Sequence, residues 1–273
     1  MFSYQFMQNA LMAGLMIGLI LPMVGIIILL RKMTFIADSF GHINMAGVAL
    51  AILLVNLLNL PMIYNILITL IWTIISAILI EYLRNKYKNY KELSILIVYS
   101  LSVALTMIFL SKSSGYNASI FNLLFGNING IARADLFWIL IVEILMLGVI
   151  FCNYRKIILL SLDEEYSKLY GINVDKNRYL MMILIAITIT IAIETIGVLL
   201  VSSLISIPLL ASAQLAKNLK LTLLFAILIT EVAIILGIIL GFILDLPTSA
   251  VIVIITIIVY LISSLISKLK ANN

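Results

Sequence analysis

Long apolar runs alternate with short polar segments along the chain, and nearly all charged residues fall in the polar segments. A helix needs about 20 mostly apolar residues to cross the hydrocarbon core of a bilayer. The apolar runs predict eight or nine spans, at 10–30, 35–58, 62–83, 93–111, 136–152, 179–195, 197–215, 221–243 and 248–267. The division between Glu194 and Gly197 has an alternative, because 179–215 also fits one span followed by a re-entrant half-helix.

The composition agrees with this pattern. Of the 273 residues, 64% are hydrophobic and only 11% are charged, which is too apolar for a water-soluble protein. The connections are short, so the sequence predicts one transmembrane domain over residues 1–273, an all-α polytopic membrane helix bundle without enzymatic activity. No glycine is followed by lysine, so the Gly-Lys-Ser/Thr loop with which many ATPases bind phosphate is absent.

Lysine and arginine residues predict the orientation, because positively charged loops stay in the cytoplasm. With the first residues outside, all but two of the 17 lysines and arginines lie in inner loops or near the C-terminal end. The exceptions are Lys112 and Arg133. The C-terminus is therefore predicted to be cytoplasmic, and the net charge of +5 reports this topology and gives no support to a nucleic-acid partner.

Glycines four residues apart let helices approach closely in lipid. Gly14 and Gly18 form one such pair, and Gly237 and Gly241 form another. Both pairs predict close helix packing, either inside one chain or at the seam of a dimer.

Ionisable side chains inside a span are costly, so each is a candidate for function. Asp38 and His42, the only histidine, stand four residues apart and therefore project from one face of a helix. Their oxygen and imidazole nitrogen suit a divalent metal such as zinc, or manganese where carboxylate and water complete the shell. The alternative is structural: His42 hydrogen-bonds to Asp38 and stabilises the start of the helix.

Three glutamates inside spans are further candidates. Glu231, near the middle of the eighth span, is the predicted third metal ligand, although it could instead pair with a backbone or serine donor or be protonated. Glu143, near the centre of the fifth span, and Glu194 have no partner that spacing identifies. Glu81 lies nearer a membrane edge, where Arg84 can pair with it.

The loop after the fifth span predicts a short amphipathic helix. Ser161 with Glu164 three residues later is typical of a capping box, and Gly171 can end the helix. An apolar stripe follows the helical period: Leu162, Tyr166, Leu169 and Tyr170. Because Asp163, Glu164 and Glu165 would be repelled by anionic lipid, docking onto a protein partner is favoured over resting on the membrane.

Several segments resemble the permease family of zinc and manganese ATP-binding-cassette importers. The most specific is Ala37-Asp38-Ser39-Phe40-Gly41-His42, although Phe40 and Gly41 replace the small aliphatic residue and serine of the family. The others are Glu81-Tyr82-Leu83-Arg84, Leu162-Asp163-Glu164-Glu165 through Gly171, Gly197-Val198-Leu199-Leu200-Val201-Ser202 up to Pro208, and Asp245-Leu246-Pro247-Thr248-Ser249-Ala250. The middle segment is most similar to zinc-uptake permeases of Gram-positive bacteria, which places zinc ahead of manganese.

This resemblance implies a metal-importer permease fold in the bacterial cytoplasmic membrane. It implies a homodimer of permeases, two copies of an ATP-binding-cassette ATPase inside, and an extracytoplasmic metal-binding lipoprotein or periplasmic protein that delivers the ion. It also implies that Asp38 and His42 line the path of transported Zn²⁺ or Mn²⁺, with no permanently bound cofactor. The segment from Asp163 to Gly171 would receive the motion of the ATPase.

Other functions fit the residues less well. A permease of the same fold for a siderophore or cobalamin chelate would need a wide path without metal-ligating side chains. An ion-driven secondary transporter would show inverted repeats and paired broken helices, and the sequence has no clear repeat. An intramembrane enzyme with a His-Glu-x-x-His motif needs two histidines, and the chain has one.

Overall fold

The computed structural model describes residues 5–33, 35–61, 63–113, 123–124, 126 and 130–271. Within these ranges the chain is helical and contains no β-strand, as the sequence predicts. The helices are α1 Gln5–Leu30, α2 Ile36–Leu58, α3 Tyr64–Lys86, α4 Lys91–Ser111, α5 Arg133–Leu162, α6 Glu164–Leu169, α7 Val174–Ile196, α8 Val198–Leu215, α9 Leu219–Ile243 and α10 Thr248–Ala271, with a 3₁₀ turn at Lys88–Tyr90.

In the described part of the chain, nine helices are long and apolar enough to cross a membrane, and only the six-residue α6 among the α-helices named above is not. This confirms the higher of the two predicted numbers of spans. The predicted bounds mostly lie within a few residues of the observed ones. Hydropathy alone predicts the number and the approximate bounds of the spans, because each helix satisfies its own backbone hydrogen bonds in lipid.

The fifth span is longer than predicted. The apolar pattern places its end at 152, whereas α5 continues to Leu162. Beyond the charged residues Arg155 and Lys156 the helix persists, and the Oγ of Ser161 donates to the carbonyl oxygen of Ile157 at 2.7 Å. The predicted end is wrong because hydropathy marks where lipid ends, while a helix continues into water as long as its backbone remains paired.

The seventh and eighth helices are separate and meet at Gly197. This residue has φ 86° and ψ 160°, a conformation that glycine adopts without the steric cost of a Cβ. Its N–H still donates to Ile193, which completes α7, and α8 begins at Val198. The 18 residues of α8 rise about 27 Å, close to the thickness of the hydrocarbon core. The structure therefore favours two spans over one span followed by a half-helix.

The helices form two compact units, each built from separate stretches of sequence. The first unit contains Met1–Ile26, Asn122–Gly148 and Ala192–Asn273, and the second contains Ile27–Phe121 and Val149–Ile191. The single domain over residues 1–273 stays a prediction.

In the first unit, α8, α9 and α10 pack against one another. The predicted glycine pairs contribute to packing within this unit. A Cβ added to Gly237 of α9 would clash with Cγ1 of Ile252 in α10, and one added to Gly18 of α1 would lie 2.7 Å from Cδ1 of Ile234 in α9. These contacts favour packing inside one chain for both glycines.

In the second unit, α2, α3 and α4 pack against one another. Gly47 of α2 lies against Thr69 and Trp72 of α3, where an added Cβ would be only 3.1 to 3.2 Å from its neighbours. A buried hydrogen bond between the hydroxyls of Thr190 and Thr73, 3.1 Å long, joins α7 to α3. This unit positions both the Asp38 and His42 pair and the short helix α6.

Candidate functional site

Asp38 and His42 lie in the first two turns of α2. Phe35 precedes the helix and provides no side-chain cap, so the Asp38 carboxylate is the acidic group in the first turn. A negative charge there is stabilised by the helix dipole. The four-residue spacing places both side chains on one face of a spanning helix, as predicted.

The two side chains are not bonded to each other. In the described part of the second unit, no hydrogen bond or ion pair joins Asp38 to His42. Asp38 is exposed and His42 is partly buried. The His42 ring instead meets the ring of Tyr99 in α4 edge to face, with centroids 4.9 Å apart. The hydrogen bond that the structural alternative requires is therefore not observed.

Glu231 lies in the first unit, on α9, against α1. A Cβ added to Gly18 would come within 3.1 Å of the Oε1 of Glu231. The charge of Glu231 also acts on Glu143 of α5, in the same unit. Oε2 of Glu231 and Oε1 of Glu143 are buried and accept no hydrogen bond from the described residues. Spacing along the sequence could not reveal this neighbourhood, because the two glutamates lie on different helices.

Within each unit, no three described His, Cys, Asp or Glu side chains are close enough to hold a metal ion together. Glu231 as third ligand to Asp38 and His42 therefore stays a prediction. Glu194 is partly buried at the end of α7. Asn44, two residues after His42, is fully buried with both amide atoms unpaired among the described residues. The search for ionisable groups missed Asn44 because its amide carries no charge.

Buried ion pairs join the end of α1 to α3 in the second unit. Nη2 of Arg31 donates to Oε1 of Glu81 at 2.9 Å, and Nε of Arg84 lies 3.8 Å from the other carboxylate oxygen. The arginine side chains are each 5% exposed and that of Glu81 is 3% exposed. The predicted pairing of Glu81 with Arg84 is confirmed. Arg31 was not predicted as a partner, because 50 residues separate it from Glu81.

The start of α6 differs from the predicted capping box. The capping residue is Asp163, whose carboxylate accepts from the backbone N–H groups of Glu165 and Tyr166 at 2.9 and 3.0 Å. Ser161 is part of α5, and its hydroxyl bonds within that helix. The prediction that Ser161 caps the helix is wrong because the backbone becomes extended only at Asp163, with φ −149° and ψ 112°.

The side chain of Glu164 connects α6 to α7 and does not take part in a capping box. Its two carboxylate oxygens accept from Nε and Nη2 of Arg178. Nη1 of Arg178 also donates to Oδ1 of Asn85, near the end of α3, at 2.8 Å. Partial burial raises the pKa of the Glu164 carboxyl, but the hydrogen bonds and charge of Arg178, with the charges of Lys91 and Arg31, outweigh burial and lower this pKa below its usual value.

The end and the apolar face of α6 agree with prediction. Gly171 has φ 73°, and the N–H of Ile172 donates to the carbonyl of Ser167, which is typical of a helix that glycine terminates. The apolar stripe is uncovered, with exposed fractions of 64% for Leu162, 46% for Tyr166, 85% for Leu169 and 66% for Tyr170. α6 is therefore held by ion pairs on one side and presents apolar side chains on another.

Known proteins are similar to this chain in sequence and in fold. The pattern of the ABC 3 transport family matches residues 3–267. A relative from Treponema pallidum (strain Nichols), called a probable metal transport system membrane protein, is 32% identical over 237 residues, which cover 87% of this chain and 86% of that protein. The manganese import system permease protein ScaB of Streptococcus gordonii is 30% identical over 237 residues, covering 86% of this chain and 82% of that protein.

A relative named for zinc uptake and a solved structure are also similar to this chain. The high-affinity zinc uptake system membrane protein ZnuB of Haemophilus influenzae is 27% identical over 235 residues, covering 86% of this chain and 87% of that protein. The solved structure of PsaBC from Streptococcus pneumoniae in complex with Fab matches with a TM-score of 0.80 and 26% identity, covering 95% of this chain and 91% of that chain.

The ion pair of Glu164 predicts how the attachment of α6 depends on pH. Because the folded state lowers the pKa of Glu164, the pair stabilises α6 fully above the unfolded-state pKa of about 4.3, and this contribution is lost as the pH falls through the lower folded-state pKa. At pH 7 we expect Glu164→Gln to reduce the protection of α6 amides from hydrogen exchange by roughly twofold to fivefold.

The matched control is Glu165→Gln, since Glu165 is a neighbouring exposed glutamate and its backbone N–H, not its side chain, takes part in the cap. Exchange is followed by mass spectrometry between pH 7 and pH 3.5 and corrected for the intrinsic pH dependence. Glu164→Gln should show a smaller pH-dependent step than wild type, because it lacks the carboxyl whose pKa the folded state lowers. Equal protection and equal pH response in the two variants would contradict the role of the ion pair.

Proposed function

Because the chain belongs to the ABC 3 transport family, we propose that it is the permease subunit of an ATP-binding-cassette importer that moves zinc or manganese into a bacterial cytoplasm. The observation that carries this proposal is the Asp38 and His42 pair, two metal-ligating side chains on one face of a spanning helix with no bond between them. The chain is a transport subunit, and a separate ATPase hydrolyses ATP.

The metal path in this proposal uses weak ligands. Asp38 supplies a carboxylate oxygen and His42 an imidazole nitrogen, which together suit Zn²⁺ and, with added water, Mn²⁺. Two ligands leave open coordination positions, so the ion is held briefly and then released. Relatives with similar coverage are named for manganese import and for zinc uptake, which supports a divalent metal cargo. The metal is cargo, and we propose no permanently bound cofactor.

Glu231 is the third residue we assign to the path. Its buried and unpaired Oε2 is an available oxygen ligand inside a spanning helix. Oε1 of Glu143, in the same unit, is also buried without a hydrogen-bond partner among the described residues, so a positive ion would find a second oxygen ligand there.

The short helix α6 is the proposed contact for the ATPase. Tyr166 and Leu169 belong to its exposed apolar stripe, while Asp163 caps the helix, Glu164 anchors it and Gly171 ends it. Ser161 lies one turn before α6, at the end of α5, so movement of α6 passes directly into a spanning helix. Two ATPase copies would contact the α6 helices of a permease homodimer.

The remaining parts of the proposal concern membrane topology and delivery. The distribution of lysine and arginine supports an external N-terminus and a cytoplasmic C-terminus. The nine spans found among the described residues agree, because an odd number places the two ends on opposite sides of the membrane. An extracytoplasmic metal-binding lipoprotein or periplasmic protein then delivers the ion from the outer side. Selectivity would come mainly from this protein, because the path holds metal weakly.

The metal path is tested by uptake in cells that depend on this importer. Asp38→Asn removes the charge with little change of shape, and His42→Phe removes the ring nitrogens while keeping an aromatic ring against Tyr99. We expect each variant to lower radioactive zinc and manganese uptake by about tenfold or more, the usual scale for perturbing a metal site.

Asp175→Asn is the matched control, because Asp175 is also a carboxylate in the first turn of a spanning helix of the same unit. It should transport normally. Membrane abundance and copurification of the ATPase are measured for each variant, so that a failure of assembly is not read as a failure of transport. Normal uptake by both the Asp38 and His42 variants would show that the pair is outside the path.

The ATPase contact is tested by copurification. Tyr170→Ser removes a side chain of the apolar stripe that is 66% exposed, and Tyr90→Ser removes one that is 64% exposed outside α6, before α4. We expect Tyr170→Ser to weaken capture of the ATPase by about tenfold, the scale of one aromatic contact at an interface, and Tyr90→Ser to leave capture unchanged. If both variants capture the ATPase equally, α6 is not the contact.

A further inference from the structure

A charged cavity of about 180 Å³ lies in the second unit, where the end of α1, the end of α3, the start of α4, α6 and the start of α7 come together. Five cationic side chains line it: Arg31, Arg84, Lys91, Lys168 and Arg178. Three carboxylates line it as well: Glu81, Glu164 and Glu165. The lining therefore has more positive than negative groups, and neither the metal path nor the ATPase contact accounts for it.

Two arginines of this cavity have buried donors without acceptors. Nη1 of Arg31 and both Nε and Nη1 of Arg84 are buried from solvent and donate to no hydrogen-bond acceptor among the described residues. The nearest carboxylate oxygen to Arg84 is 3.8 Å away, which is too long for a hydrogen bond. Both side chains are only 5% exposed. Buried charged donors left unpaired are costly, so a ligand that accepts from them is favoured.

The carboxylates of the cavity are largely engaged already. Glu81 accepts a 2.9 Å hydrogen bond from Arg31, and both oxygens of Glu164 accept from Arg178. A cation would have to approach the guanidinium groups that hold these carboxylates, which electrostatic repulsion disfavours. Among the described residues, three buried arginine donors lack a partner, whereas only one buried carboxylate oxygen of the cavity, Oε2 of Glu81, lacks one. The larger unmet requirement of the cavity is therefore for acceptors that carry negative charge.

We propose that this cavity binds a phosphate group, whose oxygens accept hydrogen bonds from Arg31 and Arg84 while Lys91 and Lys168 add positive charge. The planar fork of arginine matches the spacing of phosphate oxygens. The volume of about 180 Å³ holds such a group with a few waters, each of which occupies about 30 Å³ in the liquid. The group belongs either to an anionic lipid headgroup or to free phosphate.

Binding has a consequence for α6. Lys168 belongs to α6 and Arg84 to α3, so a phosphate group contacted by both ties the short helix to a spanning helix. This adds to the link that Glu164 and Arg178 already provide. The inference goes beyond the proposed function and does not depend on it, because it concerns only the contents of the cavity.

The test uses the purified full chain in nanodiscs of phosphatidylcholine. Its thermal unfolding is followed while sodium phosphate replaces sodium chloride at constant ionic strength, and a second series uses nanodiscs that contain phosphatidylglycerol. The variants are Lys168→Gln and Arg84→Gln, which alter the lining. The matched control is Lys217→Gln, since Lys217 is an exposed lysine outside the cavity.

We expect phosphate or phosphatidylglycerol to raise the Tm of wild type and of Lys217→Gln in a saturable manner. Lys168→Gln should need about tenfold more phosphate or anionic lipid for the same rise, the scale of one lost charge-assisted hydrogen bond. A rise with free phosphate in phosphatidylcholine identifies free phosphate as the ligand. If phosphatidylglycerol raises the Tm and added phosphate then raises it no further, the ligand is the lipid headgroup.

The proposal is overturned if neither source raises the Tm saturably, or if Lys168→Gln and Lys217→Gln respond alike. Arg84→Gln should lose the response entirely. If that variant does not fold, Lys91→Gln replaces it, because Lys91 is exposed at the start of α4 and still lines the cavity. Failure here leaves metal uptake through Asp38 and His42 untouched, so the two proposals fail separately.

Discussion

Hydrocarbon offers no hydrogen-bond partner, so every segment of this chain that crosses the bilayer must pair its backbone groups within its own helix. In the part of the chain that the structure describes, nine helices meet this constraint, and most of the connections between them are short. The constraint also makes each ionisable side chain within a span expensive. A transporter needs such groups to guide an ion, and five candidates lie in the described spanning helices: Asp38, His42, Glu143, Glu194 and Glu231.

The same constraint explains the charged cluster of the second unit. Arg31, Glu81 and Arg84 are nearly inaccessible to solvent and form ion pairs, which offset part of the cost of burying charged groups. Glu164 and Arg178 extend this arrangement to α6, the helix whose apolar side chains are uncovered. Breaking one partner of such a cluster strands the charge of the other, so the cluster holds the ends of several helices in a fixed relation within the unit.

Features that depend on a local pattern can be predicted from the amino-acid sequence. The spans, the face shared by Asp38 and His42, the Glu81 pair with Arg84 and the glycine end of α6 all follow from spacing or hydropathy. Prediction fails where tertiary contacts decide which side chains pair. Arg31 bonds to Glu81, 50 residues away in the sequence, and Glu164 bonds to Arg178 where a capping box was predicted. The predicted end of α5 is also wrong, because the helix continues past the charged residues that end the apolar run.

The central claim, that ATP hydrolysis by a partner drives a divalent metal through this permease, is tested most directly in proteoliposomes that contain the permease, its ATPase and the metal-delivering protein. Radioactive zinc is supplied on the delivery side and accumulation is followed with and without ATP, and with manganese as competitor. The account predicts accumulation that requires both ATP and the ATPase and that manganese reduces. Accumulation by the permease alone, driven by an ion gradient, would contradict it and indicate a secondary transporter.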